Sequence, residues 1–151
     1  MPDVITMGET LAVFDASSQG PMRYVSAYER HSGGAETNVA VGITRLGFTT
    51  GWISRLGDDE FGRFILYLMR GEGVDVTRVK LDSDNPTGVF FRQRNEIGES
   101  INYYYRKYSA ASFLSEEDDN GYVLVTTLLG EENSPFRVLN KSGEIISSGE
   151  F

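Results

Sequence analysis

The chain has 151 residues, 40% of them hydrophobic, no cysteine and a formal net charge of −8. That length suits one domain with a real core, and the missing cysteines exclude disulfides and thiolate metal sites. The acidic balance opposes nucleic acid or an anionic membrane as the main partner, no apolar run approaches the ~20 residues of a bilayer span, and the N-terminus lacks a secretory pattern, so a cytoplasmic protein is expected.

Residues 3–7 (DVITM) and 11–14 (LAVF) are short strand candidates, followed by a turn-rich break, DASSQGP, over 15–21. Residues 23–28 suit another short strand. Over 36–46, Val39, Ile43 and Leu46 fall at helical spacing and Gly47 is a natural stop. Residues 49–53 read as a buried strand. Gly57-Asp58-Asp59-Glu60 then opens a second helix with an aspartate cap and an acidic first turn. Phe61, Ile65 and Leu68 give it an apolar stripe, and Gly71 or Gly73 ends it. This order predicts βαβ units in an α/β fold.

The pattern then changes. Residues 79–81, 88–94 and 101–107 read as strands with DSDNPTG and NEIGES as turns, which predicts an antiparallel sheet beside the α/β layer. SEEDDN, over 115–120, is an acidic, solvated break. Residues 1–115 therefore form one portion and 116–151 an unassigned β-rich tail. In the tail, 122–129 and 136–146 suit strands, and Asn140-Lys141-Ser142-Gly143 suits a hairpin turn.

Two stretches could carry chemistry. In HSGGAETN (31–38), glycines allow close ligand approach, the following helix offers free N–H groups, and Asn38 could bond a sugar-like hydroxyl. The alternative is a plain turn with glycine at positive φ. In YYYRK (103–107), strand alternation puts Tyr104 and Arg106 on one face and Tyr103, Tyr105 and Lys107 on the other. A guanidinium beside a phenol suits a carboxylate or phosphate, with 87–92 (TGVFFR) as an apolar wall. A cross-strand aromatic ladder is the structural alternative, and a base-stacking platform for single-stranded nucleic acid is a third that the net charge opposes. His31, the single histidine, lacks the partners of a catalytic group. No Walker-type loop and no EF-hand spacing occurs, so no metal site is expected.

These residues together resemble the ribokinase-like (PfkB-type) carbohydrate kinases. The signature runs through Gly33-Gly34-Ala35-Glu36-Thr37-Asn38, Leu46-Gly47, Leu56-Gly57-Asp58-Asp59 and Phe61-Gly62. MGETLAVF, TGVFF and YYYRKYSAAS resemble the branch that phosphorylates 2-keto-3-deoxygluconate or related sugar acids; the likeness covers about residues 3–115. It implies the N-terminal part of a ribokinase-like fold, with the early β-rich strands forming a lid that closes over the sugar and often pairs two copies. It also implies that Gly33, Gly34 and Asn38 line the sugar site and that Tyr104 and Arg106 meet the carboxylate side. Phe90 stands where that branch often has tyrosine. For the complete enzyme the resemblance implies ATP with Mg, and a Gly-Ala-Gly-Asp motif whose aspartate deprotonates the attacking hydroxyl. That motif does not occur in this sequence. A sugar-acid kinase in partial form is thus expected, the alternative being a non-catalytic sugar-binding or dimerisation module of the same descent.

Overall fold

The computed structural model describes residues 2–95, 100–115, 125–127, 135–139 and 145–150. The first sheet holds β1 (Val4–Met7), β4 (Thr50–Gly57) and β5 (Val79–Asp82) in the order β1-β4-β5, all parallel. Two helices, α1 (Ala35–Arg45) and α2 (Glu60–Gly71), supply the crossovers expected of βαβ units. A second, four-stranded sheet is formed by β3 (Tyr28–Gly33), β2 (Leu11–Gln19), β6 (Val89–Arg94) and β7 (Ser100–Tyr105), in that order. It is mixed: β2 pairs parallel with β6, and the two outer pairs are antiparallel.

The main core lies between the parallel sheet and the helices. Trp52, Ile65 and Ala40 are fully buried there, with Leu56, Leu66 and Met69 packed among them. Trp52 also donates from Nε1 to the Gly8 carbonyl at 3.2 Å. That carbonyl accepts Ser54 Oγ at 2.8 Å as well, so Gly8 is anchored from two positions of β4.

Several elements depart from the sequence expectations. The break expected at 15–21 is strand as far as Gln19, because Asp15 and Ala16 pair with Glu29 and Tyr28, and Gln19 with Arg94. The turn comes at Gly20, whose φ of 108° suits glycine. The strand expected at 23–28 is a single 3₁₀ turn, Met22–Tyr24, and β3 starts only at Tyr28. β5 joins the parallel sheet rather than the second one. The stripe expected on α1 is not its buried face: Val39 is 52% exposed and Leu46 76%, while Thr37 and Ala40 are buried. Small residues there let α1 lie close to the sheet. On α2 the buried line is Gly62, Ile65, Leu66 and Met69, one position round from the expected stripe.

Beyond residue 115 the described strands are β8 (Val125–Thr127), β9 (Pro135–Leu139) and β10 (Ile145–Glu150). They form an antiparallel sheet of their own, with β9 between the other two. The expected NEIGES turn, SEEDDN break and Asn140–Gly143 hairpin turn fall mostly or wholly outside the described residues.

Asp59 ties the two layers together. Its Oδ1 accepts the N–H groups of Phe61 (3.0 Å) and Gly62 (2.8 Å) as the cap of α2, as the sequence predicts, and its Oδ2 accepts the Thr87 N–H (2.8 Å) just before β6. Thr87 returns a bond by accepting the Gly57 N–H at 2.9 Å. Burial opposes the Asp59 charge, but the hydrogen bonds from Thr87, Gly62 and Phe61 outweigh it and hold the carboxyl below its usual range. A depressed folded value means the group stabilises the fold fully above the unfolded carboxylate pKa and loses that contribution as pH falls below it. Asp59→Ala is expected to cost about 2 kcal/mol at pH 7 in urea titrations, with the gap from the parent narrowing as pH falls below the ordinary carboxylate range. A gap of constant size over that fall would show that the charge on Asp59 is irrelevant.

Candidate functional site

The register of the mixed sheet decides what the YYYRK strand presents. Val13 pairs with both His31 and Phe90, and Phe90 with Tyr104, so these four share one face with Leu11, Gly33 and Asp15. Phe90 and Tyr104 have ring centroids 5.1 Å apart, and Leu11, Val13 and Phe90 form a small buried cluster. The other face carries the aromatic ladder: Phe91 stacks on Phe14 at 5.0 Å and meets Tyr105 edge-on at 5.9 Å, while Phe14 reaches Phe61 of α2 at 5.6 Å. Tyr104 and the aromatic ladder thus occupy opposite faces of the same strands.

Arg106 continues the Tyr104 face. Its Nη2 is ion-paired to Glu9 Oε2, with side-chain exposures of 53% for Arg106 and 11% for Glu9. The other Glu9 oxygen accepts Ser109 Oγ at 2.5 Å. Gly88 lies beneath this group: a Cβ there would collide with Leu11, come within 2.7 Å of Glu9 Oε1 and reach the Arg106 Cβ at 3.2 Å. Glu9, Ser109 and Gly88 therefore set where the guanidinium sits. The sequence reading missed the Glu9 partnership, which joins residues 97 positions apart. Acidic residues are common, and no local spacing marks this one.

A second missed pair lies one row further up the sheet. Asp15, almost buried, holds Arg92 Nη1 at 3.3 and 3.4 Å from its two oxygens, with Arg94 at 3.8 Å. The Arg92 guanidinium lies 5.4 Å from the Phe90 ring centroid, adding a cation to the aromatic wall. His31 stands beside this group, 3.7 Å from Glu29 and 3.9 Å from Asp15.

Neither glycine of the Gly33-Gly34 pair has positive φ, so the plain-turn reading of HSGGAETN is not what the backbone shows. Gly33 ends β3, and a Cβ on it would meet Val13 at 3.0 Å and Phe90 at 3.5 Å. Gly34 is the N-cap of α1 in extended backbone, where a Cβ would come within 2.6 Å of the Glu9 carbonyl and of Thr10 Oγ1. Its missing side chain is filled by the protein's own Glu9–Thr10 segment. Thr10 and Thr37 hydroxyls hydrogen-bond at 2.9 Å across this contact, and Thr37 also donates to the Gly34 carbonyl at 3.1 Å. Asn38 does not join the group. It is exposed and lines a separate hollow of about 330 Å³ between the helices with Ser32, Val41, Arg45, Leu68 and Glu72, whose mouth carries the bidentate Arg45–Glu72 pair at 2.7 and 2.8 Å.

The later part of the signature has a structural reason. A Cβ on Gly57 would approach Asp59 Oδ2 and the Thr87 nitrogen to 2.5 Å, and one on Gly62 would strike the Gly57 carbonyl. Leu56-Gly57-Asp58-Asp59 and Phe61-Gly62 form the joint between β4, α2 and the entry to β6. They hold the sheet at its angle rather than touch its open face.

A parallel α/β layer joined to a mixed four-stranded sheet, with Tyr104 and Phe90 on one face of that sheet, places the chain among α/β proteins. The family model for pfkB family carbohydrate kinases matches residues 1–133, and the chain belongs to that family, with its ribokinase-like fold. It is 45% identical over 114 residues to a 2-dehydro-3-deoxygluconokinase of Bacillus subtilis, a match covering 75% of this chain and 35% of that protein. The crystal structure of a PfkB protein from Polaromonas sp. is similar at 41% identity and a TM-score of 0.75, over 78% of this chain and 40% of that one. An uncharacterized sugar kinase of Pyrococcus horikoshii, solved in complex with ATP, is similar at 30% identity and a TM-score of 0.70, over 76% and 37% of the two chains. This chain thus spans little more than a third of the length of the relatives it matches. The family model continues past residue 115, where the sequence likeness was expected to stop. Among the described residues no helix is long and apolar enough to cross a membrane.

Proposed function

We propose that this chain supplies the sugar-acid recognition side of a kinase acting on 2-keto-3-deoxygluconate, the 2-dehydro-3-deoxygluconate of the relative's name. The whole activity is transfer of a phosphoryl group from ATP to a sugar hydroxyl. One juxtaposition carries the reading: Arg106 and Tyr104 share a face with Phe90 and Gly33 on the lid sheet. Arg106 keeps about half its side chain in solvent with one nitrogen on Glu9, which leaves guanidinium donors free for a substrate carboxylate. Glu9 fixes that guanidinium in place before substrate arrives, which lowers the cost of ordering it on binding. The Tyr104 hydroxyl supplies a second hydrogen bond, and the buried Phe90 ring supports the Tyr104 ring from below. Gly33 and Gly34 keep β3 and α1 close to the Glu9–Thr10 segment that carries the Arg106 partner, and Asn38 lines the neighbouring hollow between the helices.

Phosphoryl transfer depends on positioning and on stabilising charge at the phosphates. The described residues contain no group of His, Asp and Glu able to hold a metal ion, and Gly-Ala-Gly-Asp does not occur in the chain. ATP and Mg belong to the complete family enzyme, and no residue described here is assigned to them. The same reading carries a cytoplasmic location and pairing of two copies through the lid sheet, whose edge strand β7 is exposed along its whole length.

Thermal unfolding tests the recognition. 2-Keto-3-deoxygluconate at a hundred times its dissociation constant is expected to stabilise the chain by about 2.7 kcal/mol, with fructose giving no shift. Arg106→Ala is expected to abolish the response. Equal stabilisation by fructose, or a full response in the Arg106 variant, would overturn the carboxylate assignment. A coupled ADP-release assay on this chain alone is expected to show no turnover.

A further inference from the structure

β7 ends at Tyr105, and the chain reverses at once: the Ser109 N–H donates to the Arg106 carbonyl at 3.1 Å, closing a four-residue turn over 106–109. Both ends of that turn land on one carboxylate, since Glu9 holds the Arg106 guanidinium with one oxygen and the Ser109 hydroxyl with the other. Ser109 and Ala110 are buried, and the Ala110 N–H is fixed on the Pro86 carbonyl at 2.8 Å. The third position of the turn is Tyr108, whose φ of 62° makes it the one non-glycine residue at positive φ among the described residues. That position ordinarily takes glycine or asparagine, because a Cβ there crowds the following carbonyl oxygen. A tyrosine stays in this conformation only because the anchors on both sides over-determine the path of the chain.

The ring gives the fold little in return. Tyr108 is 64% exposed, and its ring meets Lys107 Nζ, 5.1 Å from the centroid. An exposed cation–π contact offsets only part of the strain of a left-handed tyrosine. Single exposed aromatic residues need no explanation, but one kept at a glycine position does. Its place supplies one. The ring stands within a single tight turn of the Arg106 guanidinium, so this turn carries two cations and an apolar ring together. Such a rim suits an anionic ligand rich in C–H groups: the cations attract a carboxylate, and the ring packs on the apolar side of a sugar. We propose that Tyr108 is a further ligand-contacting, specificity-determining residue, its ring closing the rim over a bound sugar acid, a role that rests on the carboxylate reading of Arg106. Glycine at 108 would ease the backbone and remove the contact.

Calorimetric titration of this chain with 2-keto-3-deoxygluconate, beside thermal unfolding without ligand, tests the assignment. Tyr108→Gly relieves the strain and removes the ring, so it is expected to raise the melting temperature by about 2–4 °C while weakening binding about tenfold. Tyr108→Asn tolerates the same backbone without glycine's freedom and is expected to behave alike. Tyr108→Phe keeps both ring and strain. It is expected to melt with the parent and to recover most of the binding lost in Tyr108→Gly. The proposal is overturned if Tyr108→Gly gains stability and binds as the parent does, if it loses stability, or if Tyr108→Phe and Tyr108→Gly weaken binding equally. Binding that survives Arg106→Ala yet falls in Tyr108→Gly would sink the carboxylate reading alone. Binding that needs Arg106 but not Tyr108 would sink the rim alone, and a parent chain that binds no 2-keto-3-deoxygluconate would overturn both.

Discussion

Trp52→Ala is expected to remove about 3–5 kcal/mol of folding stability, a large part of the total for a domain of this size. Trp52 is fully buried in the main core, in one cluster with Ala40 of α1 and Ile65, Leu66 and Met69 of α2, so deleting the indole leaves a cavity there. Its effect also reaches the site. The indole N–H holds the Gly8 carbonyl, and the next residue is Glu9, the partner of Arg106. Trp52→Phe separates the two contributions. It keeps most of the volume and leaves Ser54 on the Gly8 carbonyl, so a loss of about 1–2 kcal/mol is expected. This is the chain's single tryptophan, so unfolding of both variants is followed by circular dichroism in guanidinium chloride. Equal losses for Ala and Phe would show that the hydrogen bond, not the buried volume, dominates at this position.

How far sequence reached depends on the range of the interaction involved. α2 was legible because its signals are local: Asp59 at the cap, an acidic first turn and glycines after the last turn. The Tyr104–Arg106 face was legible because alternation along a strand is local too. The continuation of β2 through Asp15–Gln19 was not, because turn-forming residues there are overruled by pairing with β3 and β6, up to 77 positions away. The buried face of α1 was misjudged for a related reason. Helical spacing marks Val39 and Leu46 as core, yet the elements present bury Thr37 and Ala40 instead. A stripe read from sequence reports what the whole fold covers, and β1 and α1 carry an apolar surface that the described residues leave open. Asn38 shows the opposite limit. Its place in the signature suggested a sugar ligand, and the structure sets it one turn into α1, lining the hollow between the helices beside Ser32 of β3.

Gly34→Ala is the substitution expected to damage both stability and recognition. Its backbone is extended, a conformation any residue adopts, so the requirement for glycine is one of space alone. A methyl group would stand 2.6 Å from the Glu9 carbonyl and from Thr10 Oγ1, and 2.9 Å from Thr37 Oγ1. Two of these atoms can rotate away only by breaking the buried Thr10–Thr37 hydrogen bond, and the third is backbone. The strain is expected to cost about 1–3 kcal/mol. Because relief comes from moving the Glu9–Thr10 segment, the Glu9 carboxylate shifts away from Arg106 and Ser109, and the guanidinium loses its fixed position. The sugar-acid stabilisation should fall with it, by more than the same loss of stability produces elsewhere. Gly42→Ala provides the contrast: it lies in the same helix with nothing within 4 Å of the added methyl, and is expected to stabilise by about 0.5–1 kcal/mol with the ligand response intact. Urea titration of both variants with and without 2-keto-3-deoxygluconate makes the comparison. A Gly34 variant that keeps the full ligand response despite its lower stability would show that the Glu9–Arg106 pair does not position the receptor.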